Sequence, residues 1–167
     1  MDAPAPIIHL AGAGDRQSFA GGGVHTWKLL ADDTGGAFFL FEDVMTKHKA
    51  TPLHCHPEAD ETVYVLDGEI LVQIDDTQTS ITAGGMTFTP RGTPHAFVVV
   101  SDVARVLTMQ TPGIGQAFYR DASEPVVEST TTAGLDLARL RSSAVANPRG
   151  IEIMGPPPFG APADRVA

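Results

Sequence analysis

Apolar and polar residues along the chain form short segments that end at residues favouring turns. Stretches rich in β-branched and aromatic residues recur at short intervals, which is typical of strands. Gly, Asp and Pro separate them in "DDTGG", "LDGE", "DDTQTS", "TAGGM" and "PRGTP". The pattern predicts strands at residues 24–30, 37–45, 62–66, 69–74, 87–89, 96–100 and 104–110. Short strands at even spacing favour a sandwich or barrel over alternating strands and helices.

The pattern changes after Glu124, where a helical period replaces the strand period. Leu137, Leu140 and Ala144 recur at helical spacing, and Pro148 ends that helix. A strand-like piece and a proline-rich stretch follow in "IEIMGPPPFGAPADRVA". Because no internal repeat is visible, we expect one barrel with an N-terminal strand segment at residues 1–123. A C-terminal helix and extended tail at 124–167 should pack on or across it.

Composition and charge narrow the functional classes. The 167 residues suffice for one domain with a full core, and 43% apolar and 19% charged residues are ordinary for a globular protein. The net charge of −9 and the scattered basic residues argue against nucleic acid and acidic membranes as partners. Residues 1–15 lack the features of a signal peptide, and no apolar run reaches transmembrane length. With a single cysteine, these features favour a cytoplasmic protein.

The stretch "TPLHCHPEADET" holds the first half of a candidate metal site. Side chains alternate faces along a strand, so His54 and His56 share one face. Pro57 interrupts the strand, and Glu61 opens the next one after a turn, directed towards the same pocket. The turn in "GGMTFTPRGTPH" places His95 at the head of an apolar strand. Three imidazoles and one carboxylate suit one divalent ion of Fe, Mn, Co, Ni, Cu or Zn.

Several residues near these motifs have more than one interpretation. Glu58 or Asp60 could replace Glu61 as a ligand, although their turn favours exposure. Arg91 could bind an anionic substrate or lie free in solvent. Cys55 should face the barrel wall, which argues against a catalytic thiol. The histidines outside both motifs are expected to be polar residues of the surface or the core: His9, His25 and His48.

Apolar residues on the face of the candidate ligands predict the lining of a substrate pocket. Strand parity places Val63, Val65, Phe97 and Val99 in the interior near the metal. Adjoining strands could add four side chains to the same cavity: Phe39, Phe41, Leu107 and Met109. Plain barrel core is the alternative for each of these residues. An apolar lining favours an aromatic or otherwise apolar substrate over a sugar.

The two motifs resemble the signatures of the cupin superfamily. "HCHPEADETVYVLDG" is similar to its first motif, and "GGMTFTPRGTPHAFVV" to its second. The resemblance implies an all-β fold, a single small jelly-roll β-barrel, here with a C-terminal helix and proline-rich tail. It also implies that His54, His56, Glu61 and His95 are the metal ligands. Cupins often have Asn four residues after the last histidine, where this chain has Val99.

Two shorter stretches, "ETVYVLDGEI" and "PRGTPHAF", resemble single-domain bacterial cupins of the quercetin-dioxygenase-like group. That likeness implies that Glu61 is catalytic, binding the metal and accepting a proton from a hydroxylated substrate. We therefore expect a metal-dependent dioxygenase that cleaves a small hydroxylated aromatic or enol, flavonol-like substrate. A metal-assisted isomerase, cyclase or lyase and a non-catalytic binding protein remain alternatives. Sheet edges that need cover lead us to expect a homodimer.

Overall fold

Two antiparallel β-sheets dominate the computed structural model, which describes residues 5–126 and 135–160. The strands are β1 (Asp15–Phe19), β2 (Val24–Leu29), β3 (Phe39–Thr46), β4 (Leu53–Cys55), β5 (Asp60–Asp67), β6 (Glu69–Ile74), β7 (Thr77–Thr82), β8 (Met86–Thr89), β9 (His95–Val99), β10 (Val103–Thr111), β11 (Ser123–Pro125) and β12 (Glu152–Gly155). Two α-helices accompany them, α1 (Gln116–Asp121) and α2 (Leu137–Ala146), with 3₁₀ turns at Asp32–Thr34 and Gly113–Gly115.

The sheets differ in size. One has seven strands in the order β11-β1-β2-β3-β10-β5-β8, and the other has five in the order β12-β4-β9-β6-β7. Sequence neighbours β5 and β6 lie in different sheets, so the chain crosses from one sheet to the other at the turn between them. The predicted all-β barrel with a C-terminal helix is confirmed.

Alternating burial explains why the sequence forms these strands. In β3, Phe39, Phe41, Asp43 and Met45 are buried. The residues between them are partly exposed, as expected for a strand with one face towards the core. The turn between β5 and β6 depends on Gly68, whose φ is +80°. A Cβ there would lie 2.3 Å from the carbonyl oxygen of Val103. Only glycine therefore fits this turn without displacing the backbone.

Each of the seven strands predicted from the sequence pattern is present in the structure. Strand β6 matches at both ends, and the other six differ by one or two residues at their ends. The sequence analysis also places His54 and His56 on a strand, which corresponds to β4, but it does not predict β11 or α1. The turn expected in "DDTQTS" forms at Asp75 and Asp76, between β6 and β7, and the rest of that stretch belongs to β7, which the pattern does not predict. Strand β7 is an exposed edge strand, so it has no buried face to produce an apolar alternation.

Two clusters of buried apolar side chains fill the interior. The first is mainly aromatic and includes Phe19, Trp27, Phe39, Phe41, Phe118 and Tyr119. The second is mainly aliphatic and includes Met45, Val63, Val65, Ile70, Val72, Val99 and Val106.

The C-terminal helix contributes to the aromatic cluster. Leu140 and Ala144 of α2 and the following Ile151 are buried in it. The predicted division at residue 123 stays a prediction, and its residues 1–4, 127–134 and 161–167 lie outside the described ranges. Within the described ranges, no helix is long and apolar enough to cross a membrane.

Candidate metal centre

The four predicted ligands come from three strands and converge in the interior. His54 lies in β4, His56 directly follows β4, Glu61 lies in β5 and His95 begins β9. In the ladder between β4 and β9, His54 is the direct partner of His95. All four side chains are buried, and their ligand atoms lie within 4.8 Å of one another. The sequence prediction that two distant motifs meet at one point agrees with this placement.

Close contacts link the carboxylate of Glu61 to two of the imidazoles. Glu61 Oε2 is 3.1 Å from His56 Nε2, and Glu61 Oε1 is 3.2 Å from His95 Nε2. The ring centroid of His54 is 4.3 Å from that of His95 and 5.1 Å from that of His56. Each carboxylate oxygen thus faces one imidazole, while His54 closes the group from the third side.

The backbone fixes the tautomer of each imidazole. The Nδ1 atoms of His54, His56 and His95 donate to the carbonyl oxygens of Pro52, Gly150 and Thr93, at 2.9, 2.7 and 2.9 Å. A carbonyl oxygen can only accept, so each Nδ1 carries the proton. Each Nε2 must then either bind a second proton or direct its lone pair into the site. Such an arrangement is typical of metal-binding histidines, whose other nitrogen is held by a hydrogen bond.

Burial and mutual charge set the protonation of the group. Burial lowers the pKa of His54 well below its ordinary value, and the nearby His95 and His56 lower it further. Burial raises the pKa of Glu61, but the charges and hydrogen bonds of His56 and His95 outweigh it and hold that pKa well below the ordinary value. Burial lowers the pKa of His95, but Glu61 more than offsets this and raises it.

This donor set fits one divalent ion. Metal–nitrogen and metal–oxygen bonds of about 2.0–2.2 Å place donors on opposite sides of an ion about 4.4 Å apart. The observed spacing of at most 4.8 Å is close to that limit. Glu61 oxygens lie 3.1 and 3.2 Å from the Nε2 atoms of His56 and His95, so each close contact needs a positive charge, either a proton on the imidazole or a cation bound between the groups. The cluster is therefore compatible with a single metal ion.

Two further side chains complete the centre, and sequence reasoning missed both. Gln110 Nε2 donates to Glu61 Oε2 at 2.9 Å, and the hydroxyl of Tyr119 donates to the same oxygen at 3.3 Å. Gln110 Nε2 also lies 2.9 Å from His56 Nε2. The pairing of Gln110 with Glu61 between β10 and β5 was accessible in principle from strand parity. Tyr119 lies in α1, which the pattern does not predict, so no signal pointed to it.

A cavity of about 50 Å³ adjoins the centre. Phe41, Val63 and Phe97 line it together with His54 and Glu61. Its wall also carries polar and ionisable side chains: His25, Asp43, Lys49, Thr51, Thr108 and Tyr119. The cavity is therefore less apolar than the sequence analysis predicted.

The predicted pocket residues separate into three groups. Val63 and Phe97 line the cavity, whereas Phe39 and Val99 are buried in the core beside it. Val65 likewise belongs to the aliphatic cluster. The prediction that Met109 lines the pocket is wrong. Met109 lies on the partly exposed face of β10, and the opposite face of the strand is the buried one.

Strand β10 turns every second residue towards the interior. The residues that β10 buries are Ala104, Val106, Thr108 and Gln110. Leu107, also predicted to line the cavity, has the parity of Met109 and is likewise only partly buried. The inward residues nearest the centre are therefore polar, where the sequence analysis expected leucine and methionine.

The alternative ligands engage arginines outside the centre. Asp60 forms two hydrogen bonds with the Arg91 guanidinium, at 3.1 and 2.9 Å, and Glu58 pairs with Arg149 in the same manner. The Arg91 hydrogen bonds lower the pKa of Asp60. Both acids remain partly exposed, and Arg91 is neither free nor turned towards the cavity lining.

The other predicted polar residues lie apart from the ligand group. His9 and His48 are exposed, whereas His25 is buried in the core. Cys55 is buried, and burial raises the pKa of its thiol. The placements of the three histidines match the expectation that they are polar residues of the surface or the core.

Comparison with known proteins adds family information. A family profile described as "Cupin domain" matches residues 40–109. Among curated proteins, the chain is similar to quercetin 2,3-dioxygenase of Bacillus subtilis, with 24% identity over 124 residues. The match covers 74% of this chain but 36% of the relative, so the chain spans about a third of that protein's length.

Solved structures share the fold at low sequence identity. KdgF from Halomonas sp. superposes with a TM-score of 0.59 and 16% identity, over 65% of this chain and 94% of that one. An RmlC-like cupin from Shewanella frigidimarina gives a TM-score of 0.56 and 17% identity, over 65% and 93%. A predicted oxalate decarboxylase from Thermotoga maritima gives 0.57 and 18%, over 64% and 99%. These similarities concern the fold alone.

Proposed function

Since this chain belongs to the cupin superfamily, we propose that it binds one divalent transition-metal ion and is a dioxygenase. Its substrate is a small hydroxylated aromatic or enol. The observation that carries this proposal is the orientation of three Nε2 lone pairs and one buried carboxylate towards a single point. The similarity to quercetin 2,3-dioxygenase supports the choice of reaction class.

The ligand residues have distinct roles in this proposal. His54, His56 and His95 hold the ion, since each presents one neutral nitrogen. Glu61 is the fourth ligand and the base that accepts the proton of the substrate hydroxyl. Its low pKa in the metal-free arrangement keeps it in the ionised form that a base requires, and the same shift makes it a weak base there. A bound ion would supply Lewis acidity to the substrate oxygen and, for a redox-active metal, reactivity with dioxygen.

Gln110 and Tyr119 position the carboxylate. Both donate to Glu61 Oε2, which leaves Glu61 Oε1 facing His95. Burial raises the pKa of the Tyr119 phenol well above its ordinary value, and Glu61 adds to that shift. Tyr119 therefore stays protonated and remains a hydrogen-bond donor through the reaction.

One observation favours a second candidate, a metal-assisted isomerase, cyclase or lyase that uses the ion only as a Lewis acid. The cavity wall carries Asp43, Lys49 and Thr108. Polar inward residues suit a substrate with several polar groups, as such enzymes require. Dioxygen dependence separates the two candidates, and a protein that binds ligands without turnover would be a non-catalytic cupin.

The test begins with elemental analysis of protein purified without a histidine tag. The metal-free protein is then loaded separately with Fe, Mn, Co, Ni, Cu and Zn, and oxygen consumption is followed with flavonols, catechols and small enols. We expect oxygen consumption with a redox-active metal and none with zinc. Glu61→Gln should retain some metal and lose turnover. Product formation without oxygen uptake would favour the second candidate instead.

The predictions of a homodimer and of a cytoplasmic location are part of the same proposal. Light scattering after gel filtration tests the first, and fractionation of the producing cells tests the second.

A further inference from the structure

A second polar group lies in the wall of the cavity that adjoins the metal centre. It consists of His25, Asp43 and Lys49, whose side chains are all buried and all line that cavity. Asp43 Oδ2 is 3.6 Å from Lys49 Nζ and 3.4 Å from His25 Nε2. His25 and Asp43 are direct partners in the ladder between β2 and β3. We call these three residues the lysine group.

The lysine group has unused hydrogen-bonding capacity. An ammonium has three donor hydrogens. Within residues 5–126 and 135–160, Asp43 is the only carboxylate within 4.0 Å of Lys49 Nζ, and its distance of 3.6 Å is beyond a normal hydrogen bond. His25 Nδ1 and Asp43 Oδ1 also lack a hydrogen-bond partner in that part of the chain. The side chain of Lys49 is only 7% exposed, so bulk water does not fill this deficit.

Stability alone does not account for the lysine group. Burying an ammonium and a carboxylate costs several kcal/mol per ion in desolvation, and apolar replacements of such pairs are often neutral or stabilising. The neighbours of the group are apolar: His25 is stacked between Phe19 and Phe41, at centroid distances of 4.4 and 4.2 Å. A buried charge with unfilled donors at the edge of a cavity is instead typical of a ligand-binding position.

Lys49 is held firmly in this position. Val99 N donates to the backbone oxygen of Lys49, and Thr51 N donates to the backbone oxygen of Phe97, both at 2.9 Å. The ammonium lies 4.3 Å from the centroid of the Phe97 ring, which stabilises the positive charge. Phe97 and the ligand His95 belong to the same strand, β9. The ammonium and the metal centre are therefore fixed relative to each other by one strand.

We propose that Lys49 binds a carboxylate of the substrate while the hydroxyl of the same substrate lies at the metal centre. The substrate is thus a compact hydroxylated acid that spans the cavity, and this assignment rests on the proposed function of the metal centre. Asp43 and His25 position the ammonium and do not contact the substrate carboxylate. The cavity is small, about 50 Å³, which suits a compact molecule better than a three-ring flavonol.

Charge balance supports a carboxylate. Lys49 and Asp43 neutralise each other, and a divalent ion with Glu61 leaves one positive charge on the other side of the cavity. A substrate with one negative charge would bring the total charge of the groups around the cavity to zero. Burial lowers the pKa of Lys49, while the charges of Asp43 and Glu61 oppose this shift. A carboxylate arriving beside the ammonium would oppose it further.

The test measures binding to zinc-loaded protein by calorimetry, which needs no turnover. The probes are 3- and 4-hydroxybenzoate, whose hydroxyl and carboxylate cannot chelate one ion, and their neutral amides. We expect the wild-type protein to bind at least one acid roughly 10- to 100-fold more tightly than its amide. Lys49→Met should remove that preference and leave the affinity for the amide and the zinc content unchanged.

Matched variants guard against misinterpretation. Lys47→Met changes a lysine that is 48% exposed and pairs with Asp102 at the surface, and it should retain the full preference. The double variant Asp43→Asn/Lys49→Met removes both buried charges together, so it tests the same loss if Lys49→Met folds poorly. Lys49→Arg should retain part of the preference.

The outcomes separate this proposal from the proposed function. Equal binding of acids and amides by the wild type, no binding of any probe, or an unchanged preference in both Lys49 variants overturns the role of Lys49. A preference that depends on Lys49 in a protein that consumes no oxygen with any substrate overturns only the dioxygenase proposal. A preference that survives in metal-free protein supports Lys49 independently of the ion.

Discussion

At the scale of single residues, the imidazole nitrogens determine how the site works. Three backbone carbonyls hold the Nδ1 protons, so the chain itself presents three lone pairs to the interior. Without a cation, these lone pairs face two carboxylate oxygens at little more than 3 Å. The site is therefore arranged for a positive charge, either protons or a metal ion.

Replacing one ligand tests this arrangement directly. His56→Ala should lower metal affinity by more than the roughly 10- to 100-fold that loss of a supporting hydrogen bond costs. The reason is that it removes a donor atom and the contact with Glu61 Oε2. Competition with a chromophoric chelator measures the affinity. His9→Ala is the control, because His9 is exposed and should leave the affinity unchanged. Equal affinities in the two variants would rule out His56 as a ligand.

Tyr119 should affect stability more than metal content. Tyr119→Phe removes the hydroxyl that donates to Glu61 Oε2, and we expect the metal-free protein to lose about 1 kcal/mol in free energy of unfolding. Metal content should stay at the wild-type level, because Tyr119 is not a ligand. Urea denaturation and elemental analysis measure the two quantities. Tyr64→Phe, at an exposed tyrosine, should change stability by less than about 0.5 kcal/mol. A similar loss in both variants would contradict the role given to Tyr119.

Metal affinity should depend on pH through His95. Glu61 raises the pKa of His95 in the metal-free protein, so His95 retains a proton to higher pH than an ordinary histidine. A metal ion must displace that proton, and affinity should fall by about tenfold per pH unit below this pKa. The low pKa values of His54 and Glu61 keep both groups from competing in the same range. Calorimetry in buffers of different ionisation enthalpy counts the protons released. A pH-independent affinity between about pH 5 and 8 would refute this assignment.

Spacing in the sequence could identify the ligands but not their supports. His54 and His56 are two residues apart in one strand direction, and a proline turn redirects Glu61, so local rules suffice for them. Gln110 and Tyr119 reach the site through strand pairing and through a short helix that local patterns do not reveal. The error at Met109 has the same origin. An apolar strand that is buried on one face and half-covered on the other does not show from sequence which face is inside.

At the scale of elements, the segment that follows α2 supports the metal centre from outside the barrel strands. The carbonyl oxygen of Gly150 accepts the Nδ1 proton of His56 at 2.7 Å. Arg149 pairs with Glu58 in the turn between β4 and β5. The matched family domain ends at residue 109, so this support comes from a part of the chain beyond it. The sequence pattern does not reveal this support, because a backbone carbonyl has no side-chain signature.

A methyl group at residue 150 should disturb this support. A Cβ on Gly150 would lie 3.0 Å from the Cα of Gly115, so the segment must shift. We expect Gly150→Ala to weaken metal binding by up to about tenfold, because the shift displaces the Gly150 carbonyl and weakens its hydrogen bond with His56. Gly155→Ala is the control, since among the described residues, apart from the two chain neighbours of Gly155, no atom lies within 4 Å of the added Cβ. Affinities measured by chelator competition should differ between the two variants, and equal affinities would show that the Gly150 contact does not matter.

At the scale of the whole molecule, metal binding should stabilise the fold. The four ligands join β4, β5 and β9, which belong to both sheets. An ion that binds only the folded state at 100 times its dissociation constant adds about 2.7 kcal/mol to the free energy of unfolding. Calorimetric melting with and without zinc measures this shift. The variant His95→Ala should show little of it. An unchanged melting temperature in the wild type would argue against a structured metal centre.

The hydrogen bond between His56 and Gly150 also has a consequence for biosynthesis. Its two residues are 94 positions apart in the chain. During translation, the ribosome releases the four ligands long before it releases the carbonyl that orients one of them. A nascent chain with all of its donors exposed therefore cannot yet hold its ion in the final geometry, and correct metal selection has to wait until Gly150 has also left the ribosome.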